Sequence, residues 1–401
     1  MSYFGKEIPA SMRKRHLRIG VLLGGLVCPP QSLAGQHERP FDDCRWGADR
    51  TVVIGAVDDQ QYGLTAIGQV ASLSDLVYVT QPQERLIRVY HDDGRFAGTI
   101  GGNGDGPGEF RAIRAIGVLA DSIWVVDSRL GRVSYFNSDL HFTSSVTIHS
   151  HPSTASRTII PMGPLSDGSI IGYPTLYAEE LEDRDTILTA LLRFDRLGQF
   201  VDTLVVYEDQ HNQRLITDGL APGLQTYARP PIREQSLRTI VPGGAGLVIV
   251  HRPFSSNPAA ARYEVVRIGS LGDTLFARQF SYVPRPVTDT HITAWIEEED
   301  FDDQPYVVDH RAYIGELRRV YEIPPHFAPV TQVLGDTNGR TWIRRGARDG
   351  MIEWHALDDD GQVVDRICPP PALRLLSIDT QGGWFAETDQ FDIPYLVRYE
   401  F

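Results

Sequence analysis

Along most of the chain, apolar and polar residues alternate in short runs broken by Gly, Asp and Asn, a period-two pattern that predicts β-strands. Two stretches make the pattern explicit. Val77–Tyr90 (VYVTQPQERLIRVY) and Ile123–Phe136 (IWVVDSRLGRVSYF) align without a gap, 46 residues apart. Tyr78 matches Trp124, Val79 matches Val125, Ile87 matches Val133 and Tyr90 matches Phe136. Each stretch is followed by a polar turn and an aromatic, Phe96 in one and Phe142 in the other. A repeat of about this length with several strands per unit is the mark of propeller blades.

Weaker copies follow. Ser169-Ile170-Ile171 with Leu191–Asp195, Gly246–Val250 with Tyr263–Ile268, Thr341–Ile343 with Glu353–Leu357, and Gly383–Ala386 with Tyr395–Tyr399 complete six units. The fold expected is all-β, a six-bladed β-propeller. The sixth unit ends at Phe401 after its third strand, which would leave an unpaired sheet edge. Thr51–Val57 (TVVIGAV) is an apolar strand upstream of the first blade without a local partner. It is expected to supply the missing outer strand and close the ring, so that the propeller occupies residues 51–401.

One region changes period. Between about 287 and 320, Ile292, Ala294-Trp295-Ile296, Tyr313-Ile314 and Leu317 fall near helical spacing among acidic residues. One or two short helices are expected here, between blades four and five, with Asp289 or Thr290 capping the first and Asp309 the second. A smaller irregular insertion, Tyr173 to Thr186, divides blade three, and Glu208 to Ser236 links blade three to blade four.

The first 34 residues read as an export signal. Arg13, Lys14, Arg15 and Arg18 precede the apolar run Ile19–Val27, and Ser32-Leu33-Ala34 supplies a small-x-small cleavage pattern. The apolar run is far shorter than the ~20 residues a membrane span needs. Met12 is an alternative start, and acylation of Cys28 an alternative to a freely exported protein. The expected location is periplasmic or extracellular, with residues 35–50 as an N-terminal segment. After cleavage the chain holds 33 Arg and no Lys against 51 Asp plus Glu, 33 − 51 = −18. Such a charge disfavours nucleic acid and anionic lipid surfaces as partners. Cys44 and Cys368 remain as a pair in an oxidising compartment, with a disulfide and two separate thiols both open.

Gly101-Gly102-Asn103-Gly104-Asp105-Gly106-Pro107-Gly108-Glu109-Phe110 resembles the inter-blade loop of NHL-repeat propellers, and Val125–Val133 resembles the strand–turn–strand core of that repeat. The likeness is specific over about residues 75–145. Blade one departs from it with Thr80-Gln81 where blade two has Val126-Asp127. The whole chain is similar to exported bacterial six-bladed propellers, a family without an assigned function, so the resemblance implies a fold rather than an activity. In physical terms, the loop glycines permit positive φ, Phe110 is placed to pack between blades, and Asp127-Ser128 can satisfy turn N–H groups. The loop lacks the Lys and Ser/Thr spacing of a phosphate-binding loop.

Candidate chemistry is sparse. His149 and His151, at i and i+2, could seed a zinc or copper site, but a third ligand is needed and none is apparent; a polar inter-blade segment is the alternative. Glu179–Asp183 and Glu297–Asp300 lack the spacing of a calcium loop and read as solvated faces. Asp358-Asp359-Asp360-Gly361 reads as a hairpin turn, and Asp75, Asp121, Asp167 and Asp336 precede second strands as turn residues. Neither a nucleophile elbow nor a His-Glu-x-x-His motif occurs. The expectation is a non-enzymatic binding module without a cofactor, presenting its loops and insertion to a protein, peptide or glycan. The alternative is a metal-dependent hydrolase or lyase of the lactonase type, holding calcium or zinc in its central channel.

Overall fold

The computed structural model describes residues 46–57, 59–149, 158–175, 186–210, 214–224, 226–228, 235–255, 257–298, 307–320, 324–346 and 351–401. It is a six-bladed β-propeller. Strand β1 (Asp49–Ile54) precedes blade 1, which is built from β2 (Val70–Leu73), β3 (Leu76–Gln81), β4 (Leu86–His91) and β5 (Phe96–Gly101). Blade 2 comprises β6 (Ile113–Leu119), β7 (Ser122–Asp127), β8 (Arg132–Phe136) and β9 (Phe142–Thr147). Blade 3 comprises β10 (Ile159–Pro164), β11 (Ile170–Pro174), β12 (Thr186–Phe194) and β13 (Phe200–Gln210). A hairpin, β14 (Arg214–Ile216) and β15 (Thr226–Ala228), leads to blade 4: β16 (Leu237–Ile240), β17 (Gly246–His251), β18 (Arg262–Gly269) and β19 (Thr274–Ser281). Helices α1 (Asp289–Glu298) and α2 (His310–Val320) come next. Blade 5 follows as β20 (Val330–Gly335), β21 (Thr341–Gly346), β22 (Ile352–Leu357) and β23 (Val363–Ile367). Blade 6 has β24 (Arg374–Ile378), β25 (Gly382–Thr388) and β26 (Pro394–Glu400).

Each blade is an antiparallel meander, and the last one borrows its outer strand: β1 pairs with β26, from Asp49 opposite Glu400 to Ile54 opposite Leu396. The closing strand is shorter than the 51–57 expected. At Gly55 the chain takes φ 144°, and Ala56 N–H turns to the Tyr62 carbonyl, so pairing stops at Ile54. A side chain at Gly55 would meet the Tyr395 ring at 2.7 Å, so glycine is what lets the first segment lie this close to the last strand.

The core is divided between the blades, as alternation on both faces of each sheet requires. Tyr78, Ile100 and Phe110 pack with Ile123, Val125 and Phe136 between blades 1 and 2. Trp342 and Trp354 pack with Leu375 and Phe385 between blades 5 and 6. Between blades 6 and 1, Ile54 joins Val79, Tyr90, Trp384 and Leu396.

The Gln81 departure of blade 1 from blade 2 has a physical basis. Asp127, fully buried, accepts the N–H groups of Arg111, Ala112, Arg129 and Leu130, which pins the incoming loop to the end of β7. In blade 1 the Gln81 side-chain oxygen accepts the N–H groups of Thr65 and Ala66. A neutral amide thus takes over the inter-strand part of the carboxylate's task. Arg132 closes the glycine loop by donating to the carbonyls of Asp105, Gly106 and Glu109.

Both predicted helices form between blades 4 and 5. The carbonyl of Thr288 accepts the His291 and Ile292 N–H groups, and its hydroxyl meets His291 Nδ1 at 2.9 Å, so Thr288 caps α1 rather than Asp289 or Thr290. Asp309 caps α2, its carboxylate accepting the Ala312 N–H at 3.0 Å. The α2 helix docks on β14: Ile216, Leu220, Val307, Tyr313 and Leu317 form a separate small core. Buried Glu316 accepts the N–H groups of Thr217 and Asp218. The links from blade 3 to 4 and from blade 4 to 5 therefore fold together as one cap.

Candidate functional site at the capped mouth

The first strand of each blade lies innermost: β2, β6, β10, β16 and β20 are successive neighbours, and Gln332 of β20 donates to the Leu375 carbonyl of β24. Their N-terminal ends, with the C-terminal ends of the second strands, form one mouth of the channel. The cap springs from the same end, since it follows the last residues of β13 and β19.

Four of the inner strands carry a register shift; in β6 and β20 it falls at this end, in β24 at mid-strand, and in β10 toward the opposite end. An extra residue at a bulge is left out of the ladder and re-aimed. In β6 that residue is Arg114, between Ile113 opposite Asp127 and Ala115 opposite Val126. Arg114 is exposed and donates from Nη2 to the Tyr173 hydroxyl of β11 at 2.7 Å. From the other side, Arg238 of β16 lays its guanidinium 4.1 Å from the centre of the same Tyr173 ring, while that of Arg114 lies at 5.9 Å. Arg238 Nη1 also donates to the Tyr207 hydroxyl of β13 at 2.9 Å. Blades 2, 3 and 4 thus bring two guanidinium groups onto one aromatic ring. At most about 10 Å separates the two charges, a repulsion of about 1 kcal/mol after solvent screening. Burial works against the Arg238 charge, but the Tyr207 and Tyr173 hydroxyls outweigh it and hold its pKa above the ordinary value.

Two further arginines reach this end from blades 5 and 6. Arg344, near the end of β21, and Arg374, at the start of β24, both have their pKa values lowered by burial alone. Arg374 donates to the Ile67 carbonyl at 2.6 Å. None of Arg114, Arg238, Arg344 and Arg374 has a carboxylate partner among the described residues, in a chain with 52 acidic residues against 38 basic ones. For the half-buried Arg238 and Arg344 this is unusual, since cations taken out of water ordinarily find such partners.

Beside Tyr207 stands a Ser–His pair. The His251 ring packs edge-on at 5.3 Å from Tyr207, and its Nδ1 lies 3.0 Å from Ser236 Oγ. Burial pushes the His251 imidazole below its usual pKa, with Glu264 and Asp209 opposing, so it is neutral at pH 7. The distance suits a nucleophile and base. The third member is misplaced: Asp209 accepts the Ser236 backbone N–H at 2.7 Å, while His251 Nε2 is buried without a hydrogen-bond partner among the described residues. The Ser236–His251 pair thus lacks an orienting carboxylate on its second ring nitrogen among the described residues.

The residues singled out from sequence lie elsewhere or outside the described set. His149 is exposed and its backbone N–H bonds the Gly198 carbonyl; His151 lies outside the described residues, as do Cys44, Glu179–Asp183 and residues 1–45. Cys368 directly follows β23. Asp75, Asp121, Asp167 and Asp336 sit in the first turn of their blades, at the opposite end of the channel from the arginines. There Asp167 accepts from Ser169, and buried Asp336 accepts from Asn338, Arg340 and Trp342. Asp358 likewise accepts the N–H groups of Asp360 and Gln362 within a hairpin turn. Among the described residues, no three His, Cys, Asp or Glu side chains gather as a metal site.

Comparison with known proteins gives the same class. Residues 59–205 match a family model described as 6-bladed beta-propeller. No curated protein sequence matches the chain. Among solved structures, a member of the DUF4221 family from Bacteroides vulgatus is 12% identical with a TM-score of 0.51, covering 88% of this chain and 96% of that one. A protein of Bacteroides fragilis named as exported is 12% identical with a TM-score of 0.43, covering 87% and 94%. Virginiamycin B lyase from Staphylococcus aureus is 10% identical with a TM-score of 0.38, covering 84% and 95%. At such identities the likeness speaks to fold alone.

Proposed function

We propose that this protein is a non-enzymatic binding propeller, exported through its first 34 residues, that takes a glycan or peptide ligand at the capped mouth. The observation that carries the reading is the Arg114–Tyr173–Arg238 cluster, polar groups from three blades aimed at one place without a reactive arrangement beside them. A rigid ring that holds such side chains on strands, with loops and a cap around them, is a scaffold suited to recognition. The glycine loop before Phe110 and the Asp127 turn support an NHL-like character for the first two blades. Among the described residues no helix is long and apolar enough to cross a membrane.

Metal analysis and lactone turnover on the purified mature protein test this reading. The expected result is no stoichiometric metal and no turnover. Tightly held calcium or zinc, together with lactone hydrolysis lost on chelation, would establish the lactonase-type alternative instead.

A further inference from the structure

We propose that the ligand of the capped mouth carries a carboxylate, bound between Arg114 and Arg238 beside Tyr173. This rests on the binding reading and narrows it to one ligand chemistry. A guanidinium has five N–H donors. Arg114 commits Nη2 to Tyr173, and Arg238 commits Nη1 to Tyr207 and a further contact to the Tyr173 hydroxyl, which leaves the remaining donors of both forks, among the described residues, for a ligand. Two planar forks gathered on one aromatic side chain suit a planar, bidentate acceptor. The aromatic ring between them fixes the Arg238 plane by stacking, so little ordering remains when an anion arrives. The cations are also placed rather than incidental. Arg114 is turned out of the ladder by its bulge, and Arg238 is anchored by two tyrosines. Arg344 and Arg374 extend the same positive character to blades 5 and 6 without carboxylate partners among the described residues, which favours a ligand with more than one acid group.

The net charge of −14 over the chain disfavours a nucleic-acid backbone as the anion. Phosphate sites usually add a nest of backbone N–H groups or a helix N-terminus. The cluster here is made of side chains on strands, which favours carboxylate.

Calorimetry with citrate, digalacturonate, inorganic phosphate and neutral maltose tests the proposal. Citrate, digalacturonate or both should bind, and maltose should not. Tighter citrate marks a small acid as the source, tighter digalacturonate an acidic saccharide; either supports the proposal. Arg114→Gln, an exposed position, and Arg238→Gln should each weaken binding by roughly tenfold or more. Arg278→Gln, on the outer strand of blade 4, should leave it unchanged. Absence of carboxylate binding, binding indifferent to both variants, or phosphate bound more tightly than either acid would overturn the proposal. If carboxylates fail while the protein is metal-free and inactive on lactones, the binding reading survives and only the ligand chemistry falls.

Discussion

Ring closure by β1 can be tested through a single side chain. Ile54 is fully buried at the end of the closing strand, packed among Val79, Tyr90, Trp384 and Leu396, whereas its neighbour Val53 points outward and is 47% exposed. Ile54→Ala removes three buried carbons in a packed seam, a change that costs about 3 kcal/mol. Unfolding a ring of ~350 residues carries an entropy of ~0.7 kcal/mol/K, so the melting temperature should fall by about 4 °C. Val53→Ala should move it by less than about 1 °C. Thermal unfolding followed by circular dichroism and calorimetry reads both values. Equal shifts for the two variants, or no shift for Ile54→Ala, would mean that this strand does not fill the edge of blade 6.

Three further outcomes follow from named contacts. Asp127→Ala orphans four backbone N–H groups and should cost at least about 3 kcal/mol, with Asp127→Asn losing less, as measured by denaturant unfolding. Burial depresses the His251 pKa, so the unfolded chain binds the proton more readily. That contribution to stability is full above about pH 6.5 and declines as pH falls below it, and His251→Gln should flatten the melting temperature between about pH 7 and pH 5. An unchanged pH profile would show that another group controls it. Trp46 packs against the core cluster that contains Ile367, and these two residues lie two and one positions in sequence from Cys44 and Cys368. A non-reduced peptide map should therefore recover a Cys44–Cys368 link, and reduction should lower stability by about 2–4 kcal/mol. Full alkylation of both thiols without reductant would contradict the bridge.

The fold was legible because its evidence is local and repeated. The hairpins at 77–90 and 123–136 announce themselves by alternation, and the edge left open after β26 implies a strand from elsewhere in the chain. Even the mismatch at Gln81 proved to be a substitution of one acceptor for another, not a change of architecture. The site had no such signal. Arg114, Tyr173 and Arg238 belong to three blades and meet only because the ring brings inner strands together. Tyr173 fell at the edge of what reads as an irregular insertion, although it ends a regular strand. A bulge in β6 has no sequence mark beyond an arginine set in an otherwise apolar strand. That same oddity, a charge near the start of an inner strand, recurs at Arg238 and Arg374 and was the one available clue.

The site's location is tested most directly by hydrogen–deuterium exchange of the intact protein with and without saturating citrate. The account predicts slowed exchange at the starts of β6 and β16 and at the end of β11, around Arg114, Arg238 and Tyr173. Protection confined to the outer strands, to the turns bearing Asp167 and Asp336, or absent altogether would contradict it.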